Sequence, residues 1–334
     1  MKVTLYSAQP YDERFFEETR LEDFANDTFE LVYQKATLSH QTTALAEGSD
    51  AVCVFVNDVL DDTVLEALAA LGVRAVVLRC AGFNNIDLAA AERLGFFVAR
   101  VPAYSPEAVA EHALALAMTL NRHTHRAFNR VREGNFALDG LLGMTMQGKT
   151  VGIVGTGRIG LATARIFKGL GCRMLGSDPF PAEGFEAIGE IVDVDTLLAQ
   201  SDIVSLHCPL LDATHHLIND ASLSRMKPGA MLINTSRGAL IDTCAVIEAL
   251  KSRRLGALAI DVYEQESGLF FQDRSSEIID DDVFSRLMTF PNVLVTGHQG
   301  FFTVEALREI AQVTFDNLLC FERGMACDNA LITG

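Results

Sequence analysis

Residues 155–160 read Gly155-Thr156-Gly157-Arg158-Ile159-Gly160, a glycine spacing that few folds can use. Alone it is weak. Here it follows the apolar β-run TVGIV (150–154) and opens the helical run IGLATARIFKGLG. Strand, glycine turn and helix in that order form the context in which the motif grips a dinucleotide. Gly155 permits the tight turn, Gly157 lets a pyrophosphate approach the backbone, and Gly160 lets the helix lie close on the sheet. The helix start offers unpaired N–H groups and a positive dipole end, to which Arg158 can add charge. The next β-run, RMLGSD, ends at Asp178, eighteen residues past Gly160. A carboxylate there accepts ribose hydroxyls and repels a 2′-phosphate, so NAD is expected rather than NADP.

This unit sits inside a longer alternation. The runs 2–7, 29–34, 51–56 and 75–79 pattern as strands, with helical spacing between them as in DTVLEALAALG (62–72), and RLGFFVARVP (93–102) adds a short strand. Such alternation predicts parallel sheets with crossover helices. Residues 106–133 then form one long helical pattern, with Ser105 suited to its N-cap, Pro106 to its first turn and Gly134 to its stop. Its first half is nearly all apolar, which predicts burial. A second α/β series follows, with strands expected at 150–154, 173–177, 203–206, 230–234, 257–260 and 293–296, and a last helical pattern covers 303–324. The first sheet needs cover, and the C-terminal helix is the economical source of it. The expected architecture is two parallel-sheet α/β domains. Residues 1–101 with 300–334 make a discontinuous substrate-binding domain, and 102–299 make the NAD-binding Rossmann domain.

A length of 334 residues fits two domains. Apolar residues make up 49%, enough for two cores, and the 21% charged fraction excludes a disordered chain. The net charge of -17 repels phosphate backbones and anionic lipid, so neither nucleic acid nor a membrane surface is an expected partner. The start MKVTLYSAQP lacks the apolar core of a signal peptide, and no long uninterrupted apolar run follows. The seven cysteines are odd in number, lack C-x-x-C spacing and sit partly in apolar runs such as AVCVFV, which reads as reduced thiols of a cytoplasmic protein.

Two further segments fall at strand C-terminal ends, where open α/β sheets bind ligands. His207-Cys208-Pro209-Leu210 follows SDIVSL, and Thr235-Ser236-Arg237-Gly238 follows AMLIN. His207 has no partner at ligand spacing, so it reads as lining the cofactor side and no metal is expected. The pair His215-His216 reads as a loop feature. Reducing a 2-keto acid needs a cation for the carboxylate, an acid for the developing alkoxide, and a group that keeps this acid protonated. Arg237, with its planar fork, suits the first task. His298, in VTGHQG after the run NVLVT, suits the second, since histidine can act as acid or base near neutrality. For the third, DVYEQE offers Glu264 and Glu266, and spacing alone leaves both open. Asp261, at the end of ALAID, can face the nicotinamide carboxamide.

With LRCAGFNNIDL (78–88), VPAYSPEAVAEHA (101–113), GKTVGIVGTGRIG (148–160), SLHCPL (205–210), INTSRGALID (233–242), DVYEQE (261–266) and GHQGFFT (297–303), the chain resembles the D-isomer-specific 2-hydroxyacid dehydrogenase family nearly end to end. It resembles most the bacterial fermentative, lactate-handling branch. The resemblance implies Arg237, Glu266 and His298 as the catalytic set, choosing Glu266 over Glu264. It implies substrate contacts from the loop Cys80, Ala81 and Gly82, from Tyr104 and from Arg237. For NAD, used as NADH, it implies the 155–160 turn, Asp178, His207, Cys208, Pro209, Thr235, Ser236, Asp261 and His298. It implies two flavodoxin-like or Rossmann parallel-sheet domains hinged around an interdomain active-site cleft, pyruvate and D-lactate as the small-molecule pair, and a homodimer or homotetramer built across the nucleotide domains. No extra C-terminal regulatory domain is expected. A larger keto acid is the alternative substrate, and an NADH-sensing binding protein is the remote alternative.

Overall fold

The computed structural model describes residues 1–333. It divides into two compact units: Met1–Ser105 with the chain from Phe302 onward, and Pro106–Phe301. The strands of the first unit are β1 (Lys2–Leu5), β2 (Glu30–Tyr33), β3 (Ala51–Val54), β4 (Ala75–Leu78) and β5 (Phe97–Arg100). The second unit holds β6 (Thr150–Val154), β7 (Arg173–Ser177), β8 (Glu190–Ile191), β9 (Ile203–Leu206), β10 (Ala230–Asn234), β11 (Leu255–Ile260) and β12 (Val293–Val295), and β13 (Ala330–Thr333) belongs to the first.

The first sheet has the order β13-β5-β4-β3-β1-β2. Its first five strands run parallel in the flavodoxin-like order, and β13 pairs antiparallel with β5. Strands β3 and β4 are buried along their whole length, as strands covered on both faces must be. Helix Val304–Arg323 packs on helix Pro10–Glu22, and Phe315 meets Phe16 and Phe24 at ring distances of 5.7 and 4.9 Å. Thr303 caps the long helix through the Ala306 N–H.

A buried charge network closes this sheet at its C-terminal edge. Arg79, only 2% exposed, follows β4. Its Nε lies 3.3 Å from Asp12, its Nη2 donates to Ser7 O at 3.0 Å, and its guanidinium stacks 4.9 Å from the centre of the Phe55 ring. Asp58 accepts from Ser7 Oγ, Leu38 N and Phe55 N. Buried ions survive only when paired and hydrogen-bonded in this way.

The second sheet is parallel throughout, with the order β12-β11-β10-β9-β6-β7-β8. The order reverses between β6 and β9, which is the switch point where open α/β sheets bind nucleotides. One face is covered by Leu197, Leu223, Leu240, Val246 and Phe284, and the other by Leu116, Leu120, Ala164 and Phe167.

Two features differ from the sequence expectation. The pattern over 106–133 is two helices, Pro106–Arg122 and Thr124–Arg132, broken at His123, whose φ is 50°. Periodicity continues across the break, but tertiary pairing overrides it. The Asn121 side chain donates to Met144 O and accepts from Met144 N, both at 2.9 Å, which fixes the chain where the first helix ends. The second helix buries no residue. The other difference is β13, a four-residue edge strand with too little pattern to be read beforehand. Among the described residues, no helix is long and apolar enough to cross a membrane.

Candidate active site

The nucleotide edge of the second unit is built by close backbone approach. Gly155, at φ 89°, lies so near Cys208 N and His207 that an added Cβ would collide with both. A Cβ on Gly160 would strike Gly155 O, whereas Gly157, which caps helix Arg158–Gly169, faces open space. The turn therefore has no room for side chains on its inner side and free room at the helix start, where a phosphate fits. Asp178 follows β7. Its Oδ2 accepts from Thr156 N at 2.7 Å and its Oδ1 from Phe180 N at 2.8 Å. These bonds fix the carboxylate at the strand end and leave each oxygen a further lone pair for a ribose hydroxyl.

Neighbouring loops are tied to this turn. His207 N donates to Val154 O at 2.7 Å, and its Nε2 lies 2.9 Å from Ser205 Oγ. Desolvation pushes the His207 imidazole down to about 4, so it is neutral at pH 7. Ser236 Oγ donates to Cys208 O at 2.7 Å. Thr235 Oγ1 is buried at the same edge without a hydrogen-bond partner among the described residues. Arg158 and Pro209 are exposed, and Ile159 is half-buried. An orphaned hydroxyl, a glycine cradle and a fixed carboxylate together suit a bound dinucleotide.

The candidate acid–base pair lies on the loops after β11 and β12. His298 Nδ1 is 2.9 Å from Glu266 Oε1, and Glu266 Oε2 accepts from Tyr263 N at 2.9 Å. A carboxylate only accepts, so Nδ1 donates and the proton-exchanging atom of neutral His298 is Nε2. The His298 side chain is 16% exposed, enough for Nε2 to meet a ligand. Glu264 turns elsewhere: its Oε1 lies 2.6 Å from His216 Nε2, and its Oε2 accepts from Thr243 Oγ1 at 2.9 Å. Of the two carboxylates that spacing left open, Glu266 is the one that faces His298.

His298 has a φ of 54°, a left-handed conformation uncommon for a residue with a Cβ. Asp261, 1% exposed, holds it there. Its carbonyl accepts from His298 N at 2.7 Å. Its carboxylate takes Gln299 N at 2.9 Å, Gly300 N at 2.8 Å, His112 Nε2 at 3.2 Å and the Thr296 hydroxyl. Burial opposes the Asp261 charge, but the hydrogen bonds from His112, Thr296 and Gln299 outweigh it and hold the carboxyl below its usual range. The Asp261 carboxylate, expected to face the nicotinamide, is hydrogen-bonded to the histidine loop. His112 and Thr296 were not singled out in the sequence; nothing local links a histidine of helix Pro106–Arg122 to a loop beyond β12.

Arg237 follows β10. Its Nη1 donates to Ser236 O at 2.7 Å, and Asn234 Nδ2 donates to Arg237 O at 2.8 Å. The side chain is half-buried and pairs with no carboxylate among the described residues, so its charge is available to an anion. In the first unit, Cys80 is buried, and Ala81, Gly82 and Tyr104 are half-buried. The Ala81 and Gly82 N–H groups donate to no protein acceptor among the described residues. Among those residues no cluster of histidine, cysteine or acidic groups with metal-ligand geometry occurs.

The chain is similar to known proteins over nearly its whole length. Residues 114–300 match the NAD binding domain of D-isomer specific 2-hydroxyacid dehydrogenases. A D-lactate dehydrogenase of Curvularia clavata is 60% identical over all of this chain and 96% of its own length. A D-lactate dehydrogenase of Escherichia coli is 52% identical over 99% of this chain and all of its own. The apo structure of the Escherichia coli enzyme superposes with a TM-score of 0.90 at 49% identity, covering 99% of this chain and 100% of that one. From its nucleotide motif, its sheet orders and these full-length relatives, the chain belongs to the D-isomer specific 2-hydroxyacid dehydrogenase family.

Proposed function

We propose that the chain is an NAD-dependent D-lactate dehydrogenase that interconverts pyruvate and D-lactate. The observation that carries this reading is the His298–Glu266 pair, which directs Nδ1 at a carboxylate and reserves Nε2 for a proton. NADH, when bound, would supply the hydride for the keto carbon, and NAD would accept it in the reverse reaction. Arg237 holds the substrate carboxylate by its fork, and its charge polarises the adjacent carbonyl. In the first unit, the N–H groups of Ala81 and Gly82, which meet no protein acceptor among the described residues, suit a carboxylate, and Tyr104 suits a small apolar substituent. His298 Nε2 donates its proton to the carbonyl oxygen, and Glu266 stabilises the imidazolium. Asp178 and the Gly155–Gly160 turn hold the dinucleotide.

The proton balance sets a direction. Reduction consumes one proton through His298 and oxidation needs His298 neutral, so pyruvate reduction favours lower pH than lactate oxidation. His298→Ala is expected to lower kcat/KM for pyruvate by about 100-fold or more, while the Kd for NADH stays close to wild type. Turnover near wild type in that variant contradicts the assignment.

The fixed Asp178 carboxylate repels a 2′-phosphate. NADH is expected to exceed NADPH in kcat/KM by about 100-fold, and Asp178→Ser to narrow that ratio. Equal use of both by the wild-type chain removes this role from Asp178.

We infer further that copies of the chain associate through the second unit. Helix Thr124–Arg132 and the segment after it expose Phe128, Val131, Phe136, Leu138 and Leu142, at 51–91% each, beside Arg126, Arg130 and Arg132. A strip this apolar on an otherwise acidic chain suits a second copy of the same surface. Sedimentation is expected to show a dimer or tetramer, and Phe136→Asp with Leu142→Asp to shift it toward the 36.3 kDa monomer. A wild-type chain that sediments as a monomer rules the association out.

A further inference from the structure

The loop Cys80–Phe83 is held in one orientation by two contacts on its carbonyls. Cys80 Sγ donates to Gly82 O at 3.3 Å, and Arg100 Nη1 donates to Ala81 O at 2.6 Å. With both carbonyls tied to the protein, the Ala81 and Gly82 N–H groups remain for an outside acceptor. Arg100 is itself fixed. Its backbone N–H donates to Asn329 O at 3.2 Å, and its carbonyl accepts from the buried Asn317 Nδ2 at 2.9 Å. Its guanidinium lies 4.9 Å from the centre of the Phe83 ring, and it pairs with no carboxylate among the described residues.

We propose that Arg100 is a positioning residue that makes the Ala81–Gly82 peptide a stronger donor to the substrate carboxylate; this rests on the reading that the loop binds that carboxylate. The peptide is trans, so its C=O and N–H point in opposite directions. A cation on Ala81 O therefore sits at the negative end of the peptide dipole, and the positive end is the Gly82 N–H. Charge-assisted bonds are stronger than neutral ones, and a polarised chain of hydrogen bonds strengthens each member. The guanidinium plane stacked on Phe83 adds orientation, so the donor is set before substrate arrives and little reorganisation is needed. Arg100 also places an uncompensated positive charge behind the loop in a chain whose net charge is -17. An incoming carboxylate supplies the missing counter-charge.

The test uses the full chain and two ligands that carry a carboxylate: pyruvate, and oxamate as an unreactive isostere. Arg100→Gln keeps a donor for Ala81 O but removes the charge, and Arg100→Lys keeps the charge but loses the plane. In Arg100→Gln, KM for pyruvate and Ki for oxamate are expected to rise together by about 10-fold, with the Kd for NADH and the thermal midpoint unchanged. Arg100→Lys is expected to recover part of that loss. A merely structural residue would lower the midpoint and kcat without a parallel change in KM and Ki, and that outcome overturns the proposal. Gly82→Pro, which deletes the N–H, separates the two levels. If it leaves Ki for oxamate unchanged, the loop does not bind the carboxylate, and the underlying reading fails with the proposal. If it raises Ki while Arg100→Gln does not, the reading stands and the role of Arg100 is refuted.

Discussion

The histidine loop of the second unit is organised around one buried carboxylate. Asp261 gathers Gln299 N, Gly300 N, His112 Nε2 and the Thr296 hydroxyl, while its own carbonyl takes His298 N. A left-handed residue with a Cβ costs about 1–3 kcal/mol when nothing enforces it. Here four hydrogen bonds to Asp261, with His112 Nε2 3.2 Å from its carboxylate, enforce it at His298. They form a ring around Asp261 that spans helix Pro106–Arg122, the end of β11 and the loop after β12. The imidazole can then meet Glu266 at 2.9 Å without searching. Preorganisation of this kind means that no ordering remains to be done at the moment of proton transfer.

A common electrostatic pattern runs through both units. The acidic chain leaves Arg100 and Arg237, both half-buried, without a carboxylate partner among the described residues. It neutralises the fully buried Arg79 with Asp12 instead. The distinction is physical. A buried cation must be paired to survive, whereas a half-exposed one can wait in water for an anionic ligand. Each waiting arginine also grips a backbone carbonyl, Ser236 O in its own loop for Arg237 and Ala81 O in the loop after β4 for Arg100. Those bonds restrict the side chains before any ligand binds, which lowers the entropy cost of binding.

Much of this was legible in the sequence because the signals are local. The Gly155–Gly160 turn, the run ending at Asp178, and the placement of Arg237 and His298 after strands all follow from short-range patterns. Family likeness was needed to prefer Glu266 over Glu264, since both lie on one turn after β11. What separates them is long-range: His216 and Thr243 draw Glu264 away, and Tyr263 N aims Glu266 at His298. The work of Asp261 was hidden for the same reason, as its partner His112 lies in another element of the chain. The break at His123 escaped because helical periodicity continues through it, and only the pairing of Asn121 with Met144 marks the end. The hand of the product came from likeness alone, because no spacing encodes which face of a carbonyl receives a hydride.

That hand can be measured directly. The direct measurement is chiral chromatography of the product formed when the wild-type chain is given pyruvate and NADH. The expected result is D-lactate as essentially the whole product, formed in step with NADH oxidation. L-lactate, or NADH left unoxidised, would contradict the account.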